Sequence, residues 1–172
     1  MRNPQPEFDE IYRRYAADIY RYLLRLTENE TLAMDLLQDT MLKAFTEIGR
    51  FRGECALKTW LCTIARNLWR DHLKKAETRN LPLEKSWNIP DTDSFSQRLE
   101  DQAQAMQIHA LLHRMEEPYK EVFSLRIFAE LRFQEIGAVF GKTESWARVT
   151  FYRAKKKLIG MLEQEDAYEQ SE

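Results

Sequence analysis

Between Phe133 and Leu158 a helical hydrophobic period stops at a single glycine and resumes at once, with basic and aromatic side chains added to its second half. Ile136, Val139 and Phe140 fall at i, i+3 and i+4 and line one side of a first short helix. Gly141 follows, and glycine takes the left-handed conformation that ends many helices without steric cost. Thr143 stands where an N-cap belongs, with an oxygen able to accept from a free backbone N–H. Ala147, Phe151, Ala154 and Leu158 then repeat at i, i+4, i+7 and i+11, so that face packs inward. Trp146, Val149 and Arg153, with Arg148 and Tyr152 beside them, are left on other faces. Two short helices about a tight glycine turn make a helix-turn-helix, and the second helix has the width of a DNA major groove.

Charge agrees with that reading. From Arg132 to Lys157 there are seven basic residues against two acidic, inside a chain of net charge −2. A segregated local excess of this kind is an electrostatic footprint for phosphate. The scarcity of alternating β-branched runs, with only five glycines in 172 residues, predicts an all-α protein.

The N-terminal half carries three further helical stripes. Phe8, Ile11, Tyr12, Tyr15, Ile19, Tyr22, Leu23 and Leu26 predict a helix over about 8–26. Leu37, Met41, Ala44, Phe45 and Ile48 predict an inward face for a second, over about 32–48, whose other face shows Asp35, Gln38 and Asp39. After an irregular stretch with two glycines, Leu61, Ile64, Ala65, Leu68 and His72 mark a third over about 59–75. Around that irregular stretch lie Phe51, Arg52, Trp60, Arg66, Asn67, Trp69 and Arg70, with Lys58, Lys74 and Lys75. Interleaved rings and cations suit single-stranded nucleic acid, because bases stack on aromatic faces while cations follow the backbone. Trp60 and Trp69 fit a hydrophobic core equally well.

Residues 76–98 hold Pro82 and Pro90 and no sustained period, and are read as a flexible interdomain linker on which Leu83 and Trp87 offer docking points. A helix over about 99–115 follows, then Pro118 at the first turn of a strongly apolar helix containing Val122, Phe123, Leu125, Ile127 and Phe128. Five acidic and no basic residues from Glu163 onward predict a frayed acidic tail. The expected architecture is two small helical domains, 1–75 and 99–172, joined by that linker.

Other chemistries find little support. Cys55 and Cys62 match neither a disulfide framework nor a zinc-ligand spacing. His109 and His113 stand four apart but lack a third ligand. Glycine-rich phosphate loops, HExxH and nucleophile-elbow patterns are missing. The expectation is a non-enzyme without metal or cofactor. With no signal peptide and no apolar run of about 18 residues, it is expected to be cytoplasmic and not inserted in a membrane.

Four stretches in order carry a resemblance: Phe8–Tyr12; Ala33–Phe45, reading AMDLLQDTMLKAF; Phe51-Arg52-Gly53 with Thr59–Asn67; and Gln134–Leu158. Together they make the chain similar, over nearly its whole length, to the extracytoplasmic function (ECF) group of bacterial RNA polymerase sigma factors. The resemblance implies that Asp35, Gln38 and Asp39 dock on the coiled coil of the polymerase clamp. It implies that the 51–58 loop, through Phe51, Arg52, Gly53 and Lys58, recognises a flipped-out base of the melted minus-ten element together with Arg66, Asn67 and Arg70. Arg148, Val149, Tyr152 and Arg153, flanked by Ser145, Trp146 and Lys156, would read the minus-thirty-five duplex. Core RNA polymerase, promoter DNA and an anti-sigma factor are the implied partners. This sequence departs from the family pattern at Trp146 and Val149, where small or polar residues are usual, at Lys142, usually apolar, and at Gly137, usually alanine.

Two other classes share these features. A transcriptional regulator with a sensing or dimerising N-terminal half would bind a symmetric duplex unaided. An adaptor imitating this architecture would bind a partner and start no transcripts.

Overall fold

The computed structural model describes the backbone of residues 4–79 and 97–171 and the side chains of 8–79 and 106–171. Those residues form helices α1 (Pro4–Thr27), α2 (Glu30–Glu47), α3 (Leu57–Arg79), α4 (Gln97–Arg114), α5 (Tyr119–Ile127), α6 (Phe133–Phe140) and α7 (Glu144–Glu169), with one 3-10 turn at Ile48–Arg50 and no strand among them. The expected all-α class holds.

Helices α1, α2 and α3 pack as one bundle. The α1 stripe delivers Ile19, Tyr22, Leu23 and Leu26 to its core, each fully buried, and α3 delivers Leu61, Cys62 and Ala65. Full burial of one such aliphatic side chain is worth about 1.5–3 kcal/mol. Asn29 starts α2 by accepting from the Leu32 N–H at 3.0 Å, which satisfies one of the donors a helix N-terminus leaves over. Helix α3 runs on through Arg79, past residue 76 where the linker was expected to begin. The rest of the expected linker up to α4, with Leu83 and Trp87, lies outside the described residues.

The C-terminal unit is built around α7, against which α4, α5 and α6 all pack. Leu111, Leu112 and Met115 meet Phe123, Ala154 and Leu158 in a local core, with Phe123 and Phe151 stacked at 5.6 Å. The tail departs from expectation. Helix α7 continues to Glu169, and Glu165 accepts from Gln107 at 3.1 Å and from Arg114 at 3.0 Å. An acidic segment that would fray alone is held by groups on the antiparallel α4.

The two units also touch. Helix α3 packs on α6, and α1 packs on α5 and α4. Val122, Leu125, Ala129, Leu131, Ile136 and Val139 belong to the same continuous apolar cluster as the α1–α3 core. No described helix is long and apolar enough to cross a membrane.

Candidate nucleic-acid interface

The glycine turn forms as its sequence dictates. Gly141 adopts φ 65° and ψ 33°, and its N–H and that of Lys142 close the end of α6 by donating to Ala138 O at 3.2 Å and Gly137 O at 2.8 Å. Thr143 Oγ1 accepts from the Trp146 N–H at 3.1 Å and starts α7. At the head of α6, the Glu135 carboxylate accepts from the Arg132 backbone N–H at 2.7 Å, the return half of a capping box. A further constraint sits inside α6. A Cβ on Gly137 would lie 2.8 Å from the carbonyl oxygens of both Lys142 and Thr143, so the turn backbone fills the space a side chain would need.

This turn fixes which face of α7 is free. Ala147, Thr150, Ala154 and Leu158 are buried, and Thr150 returns its hydroxyl to Trp146 O at 2.7 Å. Ser145, Arg148, Val149, Tyr152, Arg153 and Lys156 are all exposed on the outer side. Arg148 donates to Glu144 at 2.7 Å and reaches over the Phe133 ring at 5.4 Å. An exposed i,i+4 pair of this kind is worth about 0.3–0.5 kcal/mol, little enough for a phosphate or guanine to displace Glu144. Trp146 does not stand with that group. It is half-buried, its ring 5.1 Å from Phe140.

In the N-terminal unit, Arg52, Gly53, Asn67 and Arg70 are exposed, while Phe51 packs on Trp60 at 5.0 Å. Lys58 pairs with Asp18 at 2.8 Å. Burial raises the Asp18 pKa, but hydrogen bonds and charge from Lys58 and Arg21 outweigh it and hold the carboxyl below its ordinary range. Trp69 is 5% exposed and stacked on His72 at 5.8 Å, so of its two readings the core one holds. Arg66 is also withdrawn. Its Nε donates to Glu121 of α5, and its guanidinium lies over the Phe140 ring of α6 at 4.1 Å.

Asp35, Gln38 and Asp39 share the outer face of α2 and are exposed. Sequence reasoning missed what lies among them. Met34 and Leu42 are 41% and 63% exposed, and Phe45, expected inward, is 39% exposed with its ring against Phe8 at 5.1 Å. The face is therefore apolar rimmed by carboxylates, a composition that suits a basic helical partner with apolar stems. The signal was in the sequence: α2 is apolar on more than one side.

The two histidines on α4 turn to different partners. His109 packs on Phe128 at 5.6 Å, and burial, then Arg25, depress its pKa to about 4. His113 Nδ1 lies 3.2 Å from the Glu28 carboxylate.

Comparison with known proteins places these features in a family frame. Residues 11–79 match the family model for Sigma-70 region 2, and residues 105–158 match that for Sigma-70, region 4. The chain is 31% identical over 156 residues to the RNA polymerase sigma factor YlaC of Bacillus subtilis, covering 87% of this chain and 88% of that protein. It is 29% identical over 157 residues to the ECF RNA polymerase sigma factor SigM of the same organism, covering 87% and 91%. Among solved structures, the sigma factor RpoE from Bartonella quintana, determined with the anti-sigma factor NepR, superposes with a TM-score of 0.75 at 22% identity, covering 91% of this chain and 97% of that one. CnrH, determined with the cytosolic domain of CnrY, gives 0.71 at 19%, covering 93% and 90%.

Proposed function

Because the chain belongs to the ECF group of RNA polymerase sigma factors, we propose that it directs core RNA polymerase to specific promoters and aids their melting, using the side chains described above. The observation that supports this most is the pairing, in one short chain, of an apolar face rimmed by Asp35, Gln38 and Asp39 with the exposed outer side of α7. One offers a protein-docking surface, the other a basic duplex-reading surface.

Asp35, Gln38 and Asp39, with Met34 and Leu42 between them, seat the chain on the polymerase. Arg148, Val149, Tyr152 and Arg153 enter the major groove of the minus-thirty-five element, with Ser145 and Lys156 on phosphate. The exposed Val149 favours apolar contact with a thymine methyl over hydrogen-bonded readout. Trp146 supports the reading helix from beneath, through Phe140. Phe51, Arg52, Gly53, Lys58, Arg66, Asn67 and Arg70 receive the melted minus-ten strand. Extruding a base costs a few kcal/mol, and pocket contacts with neighbouring polymerase surface offset it. The chain hydrolyses no nucleotide, works in the cytoplasm, and takes an anti-sigma factor as its inhibitor. Free of polymerase it binds promoter duplex weakly, because each DNA surface alone is small.

Run-off transcription with purified core polymerase tests this. A promoter-specific transcript that requires the chain is the expected result. A regulator or an adaptor yields none.

A further inference from the structure

One ring of α6 touches two of the side chains assigned above to the upstream duplex. Phe133 opens α6, directly after Arg132, and is half-buried. The Arg148 guanidinium lies over its ring, 5.4 Å from the centroid. The Tyr152 ring stands 6.4 Å away, within the span at which aromatic pairs attract. Arg148 and Tyr152 are four residues apart on α7, so they follow one another along one side of that helix, and both are exposed. Phe133 is itself anchored. Its ring packs on Phe151 of α7 at 5.5 Å, and the Arg126 guanidinium of α5 lies 4.7 Å from its centroid. Arg126 in turn donates to Leu131 O at 3.0 Å, which ties it to the connection leading into α6.

Arg148 has two holds, and DNA would treat them differently. Glu144 takes the guanidinium at its N–H edge, accepting at 2.7 Å. A guanine or a phosphate needs that same edge, so binding displaces Glu144. Phe133 takes the guanidinium as a ring attracts a cation, through the negative face of its π system. A planar guanidinium stacked on a ring keeps its N–H edge free for hydrogen bonds. The ring contact therefore persists while the edge reads a base. It also comes from another helix, so it gives a long, flexible side chain a direction that α7 alone does not set. A side chain ordered in advance has less freedom left to lose on binding.

We propose that Phe133 is a specificity-determining positioning residue: its ring aims the Arg148 guanidinium, beside Tyr152, at one base pair of the upstream duplex. This rests on the assignment of Arg148 made under Proposed function. A ring beneath an exposed cation favours the held arrangement by a factor of about 2–5. Base discrimination by Arg148 falls by the same factor when the ring is lost.

The test uses holoenzyme reconstituted from core polymerase and the full chain, with promoter fragments in which each base pair of the upstream block is replaced in turn. Phe133→Leu removes the ring and keeps an apolar side chain. Replacement of Phe133 by pentafluorophenylalanine keeps the shape and reverses the charge of the ring face, so it decides the matter if Phe133→Leu loses helix by circular dichroism. Both are expected to lower discrimination about 2- to 5-fold at the base pair whose preference Arg148→Ala removes. In an Arg148→Ala background neither is expected to lower it further. Phe133→Tyr restores a ring and is expected to keep the discrimination that Phe133→Leu loses. A Phe133 that merely fills space weakens every fragment alike; that uniform loss, or undiminished preference in both variants, overturns the proposal. If Arg148→Ala itself leaves every preference intact, the assignment of Arg148 to the duplex falls, and the positioning role falls with it.

Discussion

Replacing Gly137 by alanine sets two opposed effects against each other at one atom. In a helix interior, alanine is favoured over glycine by about 1 kcal/mol. Against this, the new Cβ would meet Lys142 O and Thr143 O at 2.8 Å and the Thr143 carbonyl carbon at 2.9 Å. Carbon finds its favourable van der Waals separation at about 3.5–4.0 Å, so the turn would have to retreat by several tenths of an ångström. It is pinned against retreat by the Lys142 N–H on Gly137 O at 2.8 Å and by the Thr143 cap on Trp146 at 3.1 Å. Overpacking against fixed neighbours costs about 1–3 kcal/mol. The balance is a net loss reaching about 2 kcal/mol. For a chain of this size each kcal/mol moves Tm by about 2–4 °C, so thermal melting followed by circular dichroism should show Gly137→Ala lower by up to about 8 °C. The same retreat tilts α7 against α6, and affinity for the upstream duplex should fall with it. A variant with raised Tm, as helix propensity alone demands, would refute the close-approach reasoning.

Arg148→Ala and Arg153→Ala should each cost about 1–3 kcal/mol on the preferred upstream duplex and relax preference at one base pair; Lys156→Ala should weaken all sequences alike and lower the salt slope by about 1. Duplex binding of the holoenzyme across a salt series separates the two, and identical nonspecific losses in all three would count against the reading face. Asp39→Lys should reduce affinity for core polymerase, and Leu42→Asp should do the same through the apolar ground between the carboxylates; unchanged binding in a pull-down with purified core removes α2 as the docking face. Cys62 is fully buried and burial pushes its thiol up to about 12, whereas Cys55 is partly exposed. Burial and then Glu54 raise the Cys55 thiol as well, so thiol titration with Ellman's reagent should show Cys55 reacting first, more slowly than a free cysteine, and Cys62 only on unfolding; two equally fast thiols would contradict the packing of α3.

The helix-turn-helix was legible because each of its parts is local. A left-handed glycine, an N-cap three residues before its acceptor's partner, and a stripe at helical spacing all act within one or two turns, and Gly141, Thr143 and the Ala147–Leu158 face fall where the sequence puts them. The α1 stripe was legible for the same reason. What stayed hidden depends on partners far along the chain. Arg66 reads as a free cation until α5 brings Glu121 to it. Trp69 resembles a stacking platform until the bundle closes around it. The acidic end of α7 reads as tail until α4 supplies Arg114 and Gln107. Gly137 is visible in the sequence as a departure from the usual alanine, but its cause is the approach of a turn backbone. On α2, burial of Leu37, Met41 and Ala44 was readable, and apolar residues on more than one side signalled that some stay uncovered; periodicity alone does not say which, so Phe45 was expected inward and Met34 and Leu42 went unnoticed.

Mapping the 5′ ends of transcripts made by core polymerase with and without the purified chain bears most directly on its role. New starts are expected that appear only with the chain and lie at a fixed distance downstream of two shared sequence blocks, with Arg148→Ala shifting preference at the upstream block. Start sites identical to those of core polymerase alone, from a chain that binds a palindromic duplex tightly unaided, would contradict that role.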